Sequence, residues 1–159
     1  MIKGARYVHT NLVSRDWRKL AAFYAQQFGC TVVPPERHFS GPEIEAGTGL
    51  PRAAFSGVHL RLPGHGENGP TLEIFTYTEL GGNEEPAPNR LGYGHLAFQV
   101  HSVPEARAQV LEAGGSAVGE VVRVTTAAGV HVTWCYVTDP EGNILELQSI
   151  EEPGCHRAT

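Results

Sequence analysis

No stretch of this 159-residue chain approaches the roughly 20 apolar residues that a membrane-spanning helix needs, and the opening MIKGARYVHT lacks the apolar run of a secretory signal. The expected location is therefore the cytoplasm, with no membrane partner. Basic clusters are missing too. The 12 Lys and Arg residues form no run and the formal charge is −5, which argues against the phosphate-neutralising surface of a nucleic-acid binder. Cysteine is sparse: Cys30, Cys135 and Cys155 are odd in number, widely spaced and without a C-x-x-C, so neither a disulfide framework nor a thiolate zinc site is suggested. Cys30 and Cys135 read instead as small buried apolar residues.

What the chain does contain is a weak internal repeat. HTNLVSRDWRKLAAFYAQQFG, from His9 to Gly29, lies over HLAFQVHSVPEARAQVLEAGG, from His95 to Gly115, without a gap. Each copy reads as a strand running into an amphipathic helix that stops at a glycine suited to a left-handed cap. Trp17, Leu20, Ala21, Tyr24 and Phe28 recur at helical spacing in the first copy, and Val103, Ala106, Val110 and Leu111 less fully in the second. Ser102 with Glu105 makes a capping box, and Ser14 is the candidate cap of the first helix.

The repeat resumes further on, where GPTLEIF from Gly69 to Phe75 matches GNILELQ from Gly142 to Gln148. Upstream of these lie the β-like runs FSGVHLRLP and HVTWCYVTD, so each half reads as strand, helix and three strands. The expected fold is α+β: two tandem βαβββ modules forming a cup-shaped mixed β-sheet with helices on the outside. One domain spans about 1–152, with module one at about 5–78, a linker at about 79–91 rich in proline and glycine, module two at about 92–150, and a flexible tail at 153–159. The segment from Pro34 to Ala54, extra in the first half, reads as a surface loop of the kind that serves as a lid or as a passive insertion.

Strand parity singles out four side chains, because successive residues of a strand point to opposite faces. Val8, Thr10 and Leu12 turn toward the first helix, which leaves His9, Asn11 and Val13 away from it. Leu96, Phe98 and Val100 likewise leave His95, Ala97 and Gln99. Glu73, Phe75 and Tyr77 oppose Leu72 and Ile74, as Glu146 and Gln148 oppose Leu145 and Leu147. A lone strand His or Glu is ordinarily a surface or hydrogen-bonded residue. The recurrence of both types at equivalent places in both halves is what marks His9, Glu73, His95 and Glu146 as metal ligands. Two imidazoles and two carboxylates suit one divalent ion, Zn, Ni, Co, Mn or Fe, with two positions left for water or substrate. Asn11, Phe75 and Gln148 share these strand faces and are candidate substrate-binding residues. His59 and His131, on the third strand of each module, could reach the cup but read as surface or structural, and Trp134 and Tyr136 read as packing residues.

These segments resemble the vicinal oxygen chelate superfamily, which includes glyoxalase I, methylmalonyl-CoA epimerase, extradiol dioxygenases, and fosfomycin and bleomycin resistance proteins. The likeness runs from about Arg6 to Ile150 and rests on His9 with FYAQQFG, LEIFTY with Glu73, GYGHLAF with His95, and DPEGNILEL with Glu146. The His, Glu, His, Glu order looks like glyoxalase I, whereas GTGLPRAAFSGVHLRLPG looks more like the epimerase branch, which has Gln in place of the first carboxylate.

The resemblance implies a metal-dependent lyase or isomerase in which the metal stabilises an enolate while a Glu transfers the α-proton of a small carbonyl or thioester substrate. It implies Glu146 as principal base, with Glu73 as ligand and second catalytic carboxylate. It also implies a homodimer. The alternatives are an extradiol-type dioxygenase holding Fe(II), against which a fourth protein ligand counts, and a metal-free drug-sequestering resistance protein, against which the retained ligand set counts.

Overall fold

Alternation of aliphatic with polar residues gives strands that can bury one face only, and the chain uses this twice. The computed structural model describes residues 2–82 and 86–151. The tail expected at 153–159 and the middle of the linker, residues 83–85, lie outside the described residues. The chain divides into two compact units, Met1–Asn83 and Glu84–Thr159.

The first unit runs β1 (His9–Val13), α1 (Trp17–Phe28), β2 (Thr31–Ser40), α2 (Pro42–Thr48), β3 (Ala54–Arg61) and β4 (Thr71–Tyr77). Its sheet has the order β1-β4-β3-β2, with β1 parallel to β4 and the other neighbours antiparallel. The second runs β5 (Leu96–Gln99), α3 (Val103–Glu112), β6 (Ser116–Ala117), β7 (Val122–Thr125), β8 (His131–Thr138) and β9 (Ile144–Glu151). Its order is β5-β9-β8-β6, with β7 also pairing β8, so β6 and β7 together stand where β2 stands in the first unit. The fold is α+β, a βαβββ module written twice.

The core of each unit lies between one helix and one sheet face. α1 packs on β3 and β4 through Leu20, Ala21 and Tyr24 against Val58, Leu60, Leu72 and Ile74, all buried. α3 packs on β8 and β9, where Val103 and Val110 meet the buried face of Cys135, Val137, Leu145 and Leu147. Each such aliphatic side chain contributes about 1.5–3 kcal/mol of burial. These rows leave His59, Glu73, Tyr136 and Glu146 on the opposite sheet face, as period-two alternation requires. Cys30 and Cys135 are buried, and burial pushes the Cys30 thiol from 9.0 up to about 11 and raises Cys135 as well. Neither is a thiolate donor near neutral pH. No described helix is long and apolar enough to cross a membrane.

Local details depart from the sequence expectation in three places. The N-cap of α1 is Asp16 and not Ser14: the Asp16 carboxylate accepts from the backbone N–H of Arg18 and Lys19, whereas Ser14 is buried, with its N–H donating to Phe75 O at 2.9 Å. Ser14 thus extends the β1–β4 ladder. Gly29 does end α1 in the left-handed region, at φ 69°, but the aligned Gly115 does not end α3 in that way; Gly114, at φ 95°, takes the left-handed conformation. Gly115 is needed for space, since a Cβ there would meet Thr138 O at 2.3 Å. The Pro34 to Ala54 stretch is not a loop. β2 continues through Pro34 and Pro35 to Ser40 across a register shift between Val33 and Arg37, and α2 follows with Pro42 in its first turn. An edge strand tolerates prolines because one row of its backbone groups needs no partner.

The turn that aims Glu146 is held by Asp139, which is 1% exposed. Its Oδ1 accepts from the backbone N–H of Glu141 and Asn143, each at 2.9 Å, and its Oδ2 from Asn143 Nδ2 at 2.8 Å. Asp139→Ala removes these acceptors and strands part-buried donors, so a loss of about 1–3 kcal/mol is expected. A urea midpoint unchanged from that of the parent chain would show that the turn holds without it.

Candidate metal centre

β1 and β4 lie side by side in parallel, with Asn11 in register with Glu73. His9 and Glu73 rise from the sheet face that α1 leaves uncovered, and His9 Nε2 comes within 3.2 Å of Glu73 Oε2. The second unit repeats the arrangement with β5 and β9. His95, one residue before β5, places Nε2 3.2 Å from Glu146 Oε2. Each structural unit therefore carries one of the two expected His and Glu pairs, and each pair is spaced alike.

That spacing fits metal ligation. Two donor atoms about 2.1 Å from one ion, at right angles, lie roughly 3.0 Å apart. Both pairs match this edge, and their nitrogen and oxygen donors without thiolate suit a borderline divalent ion. The carboxylates are the more enclosed members, at 14% side-chain exposure for Glu73 and 19% for Glu146, while the imidazoles reach outward at 40% and 34%. The candidate ligand atoms thus stand on enclosed carboxylates and on imidazoles that reach toward solvent.

His59, read from the sequence as a surface or structural residue that could reach the cup, stands at the site. β3 sets it in register with Glu73, its Nε2 lies 2.6 Å from Glu73 Oε1, and its Nδ1 lies 2.9 Å from the Thr71 hydroxyl. His9, His59 and Glu73 form a group whose ligand atoms all lie within 4.8 Å of one another. Burial pushes the His59 imidazole below its usual range, against the pull of the Glu73 charge and with further lowering by Arg37 and His9. A signal was present in the sequence: a β3–β4 hairpin folded about Gly66 pairs Leu60 with Leu72 and therefore His59 with Glu73. His131 takes no such part. It is in register with Glu151, and its Nδ1 lies 2.9 Å from the Thr125 hydroxyl.

In the second unit the place of His59 is taken by Tyr136, in register with Glu146. Its ring centroid lies 5.0 Å from that of His95, and Trp134 packs edge-on against it at 5.1 Å. Tyr136 therefore backs a candidate ligand. Of the candidate substrate residues, Asn11 is exposed on β1 beside Glu73 and Gln148 is half-buried beside Glu146. Phe75 is buried in a row of rings on the uncovered face, 5.1 Å from Phe55 and 6.2 Å from His59. Phe55 continues that row to Tyr77 at 4.6 Å.

A family model described as a glyoxalase-like domain matches residues 9–148. No curated protein matches the chain. Among solved structures, a glyoxalase family protein from Bacillus cereus is 19% identical, with 96% of this chain and 99% of that chain covered and a TM-score of 0.79. The trypanothione-dependent glyoxalase I of Leishmania major is 22% identical, with 92% and 87% covered and a TM-score of 0.59. A glyoxylase/bleomycin resistance protein/dioxygenase domain from a Frankia species is 17% identical, with 92% and 98% covered and a TM-score of 0.59. At these identities the likeness establishes the fold. The family match spans nearly the whole chain, including both His and Glu pairs, and the chain belongs to the glyoxalase-like family of the vicinal oxygen chelate superfamily.

Proposed function

We propose that the chain is a metal-dependent lyase or isomerase that moves the α-proton of a small carbonyl or thioester substrate, with His9, Glu73, His95 and Glu146 as the protein ligands of one divalent ion. The observation that carries this reading is the repeated pair: in each duplicated half an imidazole Nε2 stands 3.2 Å from a carboxylate Oε2. Packing alone gives no reason for both halves to keep the same two residue types at the same spacing. A bound dication supplies a Lewis acid that meets negative charge developing on a substrate oxygen.

The side chains divide the remaining work. His9 and His95 serve only as metal ligands, through Nε2. Glu146 receives the α-proton on a carboxylate oxygen and returns it; a carboxylate is far too weak a base for an ordinary carbon acid, so it acts only where the adjacent oxygen is already stabilised. Glu73 holds its place as an oxygen donor. The row of Phe75, Phe55 and Tyr77 rings, which meets His59 through Phe75, lowers the local dielectric and so strengthens charge stabilisation there.

The test is metal content followed by proton exchange. Purified protein is expected to hold about one divalent ion per chain and to exchange the α-proton of at least one carbonyl or thioester substrate, followed by NMR in deuterated water. His95→Ala is expected to lose ion and exchange together. A wild-type chain that takes up no ion from a panel of zinc, nickel, cobalt, manganese and iron would leave only a binding protein. One observation favours a second reading: two imidazoles and one carboxylate, His9, His59 and Glu73, are the donor set of non-haem Fe(II) oxygenases. Oxygen uptake with catechols after anaerobic iron loading separates that dioxygenase from a proton-transfer enzyme.

A further inference from the structure

The two halves are duplicates, yet the strand neighbours of their carboxylates differ. His59 stands beside Glu73, and Tyr136 beside Glu146. Glu73 is held at both oxygens, Oε1 by His59 at 2.6 Å and Oε2 by His9 at 3.2 Å. Among the described residues, Glu146 is paired with one imidazole, that of His95. The Tyr136 ring lies against His95, so the second unit supports its imidazole where the first supports its carboxylate.

The two contacts of Glu73 are of different kinds. The 3.2 Å spacing to His9 matches two atoms sharing an ion, for which roughly 3.0 Å is expected. The 2.6 Å contact to His59 is too short for that and is a direct contact between imidazole and carboxylate. A carboxylate only accepts, so His59 Nε2 carries the hydrogen. The other ring nitrogen is engaged by the Thr71 hydroxyl at 2.9 Å, two residues before Glu73 on the same strand face. Thr71 and Glu73 thus grip one ring between them and fix its plane.

We propose that His59 is a positioning residue: its Nε2–H holds Oε1 of Glu73, commits that carboxylate to ligation through Oε2, and leaves proton transfer to the duplicated counterpart Glu146. This rests on the reading of His9, Glu73, His95 and Glu146 as ligands. It accounts for an asymmetry that a duplicated chain does not require. A residue oriented in this way keeps its geometry when the ion leaves, so the first half would be preformed for metal uptake.

The experiment uses the full chain with zinc as probe and the variants His59→Ala, His59→Gln and Thr71→Val. Zinc affinity is read by chelator competition, and the number of coordinated imidazoles by X-ray absorption on the zinc-loaded protein. His59→Ala is expected to weaken zinc binding by about 10–100-fold with the imidazole count unchanged. His59→Gln, whose amide still donates, is expected to recover most of that loss, and Thr71→Val to lose a smaller share. The Gln variant keeps the test decisive should the Ala variant fold poorly. Loss of one coordinated imidazole in His59→Ala would make His59 a ligand and overturn the proposal, as would affinity within twofold of wild type or a Gln variant no better than Ala. Failure of the wild type itself to hold zinc would sink the parent reading together with this one, whereas a zinc-loaded wild type indifferent to His59 sinks this one alone.

Discussion

Glu146→Gln is expected to lower α-proton exchange by about 10²–10⁴-fold while the chain keeps close to one metal ion. The amide retains an oxygen that can ligate, but it cannot accept a proton at neutral pH, so the substitution separates the two roles assigned to this side chain. The matching change at Glu73 provides the comparison. Glu73 has Oε1 against His59 and Oε2 beside His9, and Glu73→Gln is expected to weaken metal binding more than Glu146→Gln does and to reduce exchange less at saturating metal. The two variants are compared by exchange rate in deuterated water and by metal content after dialysis. A Glu146→Gln protein that exchanges at half the wild-type rate or faster would remove Glu146 as the base. Should Glu73→Gln suffer the larger loss of exchange, the division of labour runs the other way.

The second large effect concerns the scaffold under Glu73. Gly57 on β3 is in register with Phe75, and the Phe75 ring occupies the place that a Gly57 side chain would fill. A Cβ at Gly57 would stand 2.0 Å from Ile74 O and 2.2 Å from Phe75 Cδ1. A ring can swing aside, but a carbonyl of the paired strand cannot move without breaking the β3–β4 ladder. Gly57→Ala is therefore expected to cost about 3 kcal/mol, at the upper end for overpacking, and to lower the melting temperature by roughly 10 °C. Because the same ladder sets His59 opposite Glu73, zinc affinity should fall with it. Gly47 in α2 has nothing within 4 Å of its ideal Cβ, and Gly47→Ala is expected to stabilise the chain by about 0.5–1 kcal/mol. Circular dichroism melts of the pair decide the matter: equal melting temperatures for both variants would show that Gly57 is not the close-approach site described.

The repeat was legible because burial imposes short-range patterns. Leu72 and Ile74, or Leu145 and Leu147, must face a helix, and the carboxylate between each pair must then face away. The helices announced themselves by the same logic, through Leu20, Ala21 and Tyr24 in α1 and Val103 and Val110 in α3. Caps were less legible. Ser14 and Asp16 are both good N-cap types two residues apart, and the choice fell to Asp16 because Ser14 continues a ladder with a strand some sixty residues away. Pro34, Pro35, Gly41 and Gly49 made the middle of the first half look like a loop, although an edge strand with a bulge and a short helix accept all four.

By itself, the sequence determined that the chain is a duplicated βαβββ protein of the glyoxalase-like family, with His9, Glu73 and Glu146 on the strand faces turned from the helices and His95 at the entry to β5. Alternation along a strand is a local property, so it survives in one dimension. Tertiary structure decided which side chains touch. Register across β3–β4 and β8–β9 depends on how each intervening turn closes, and that placed His59 against Glu73 but Tyr136 against Glu146. Two halves alike in pattern thereby became unlike in chemistry.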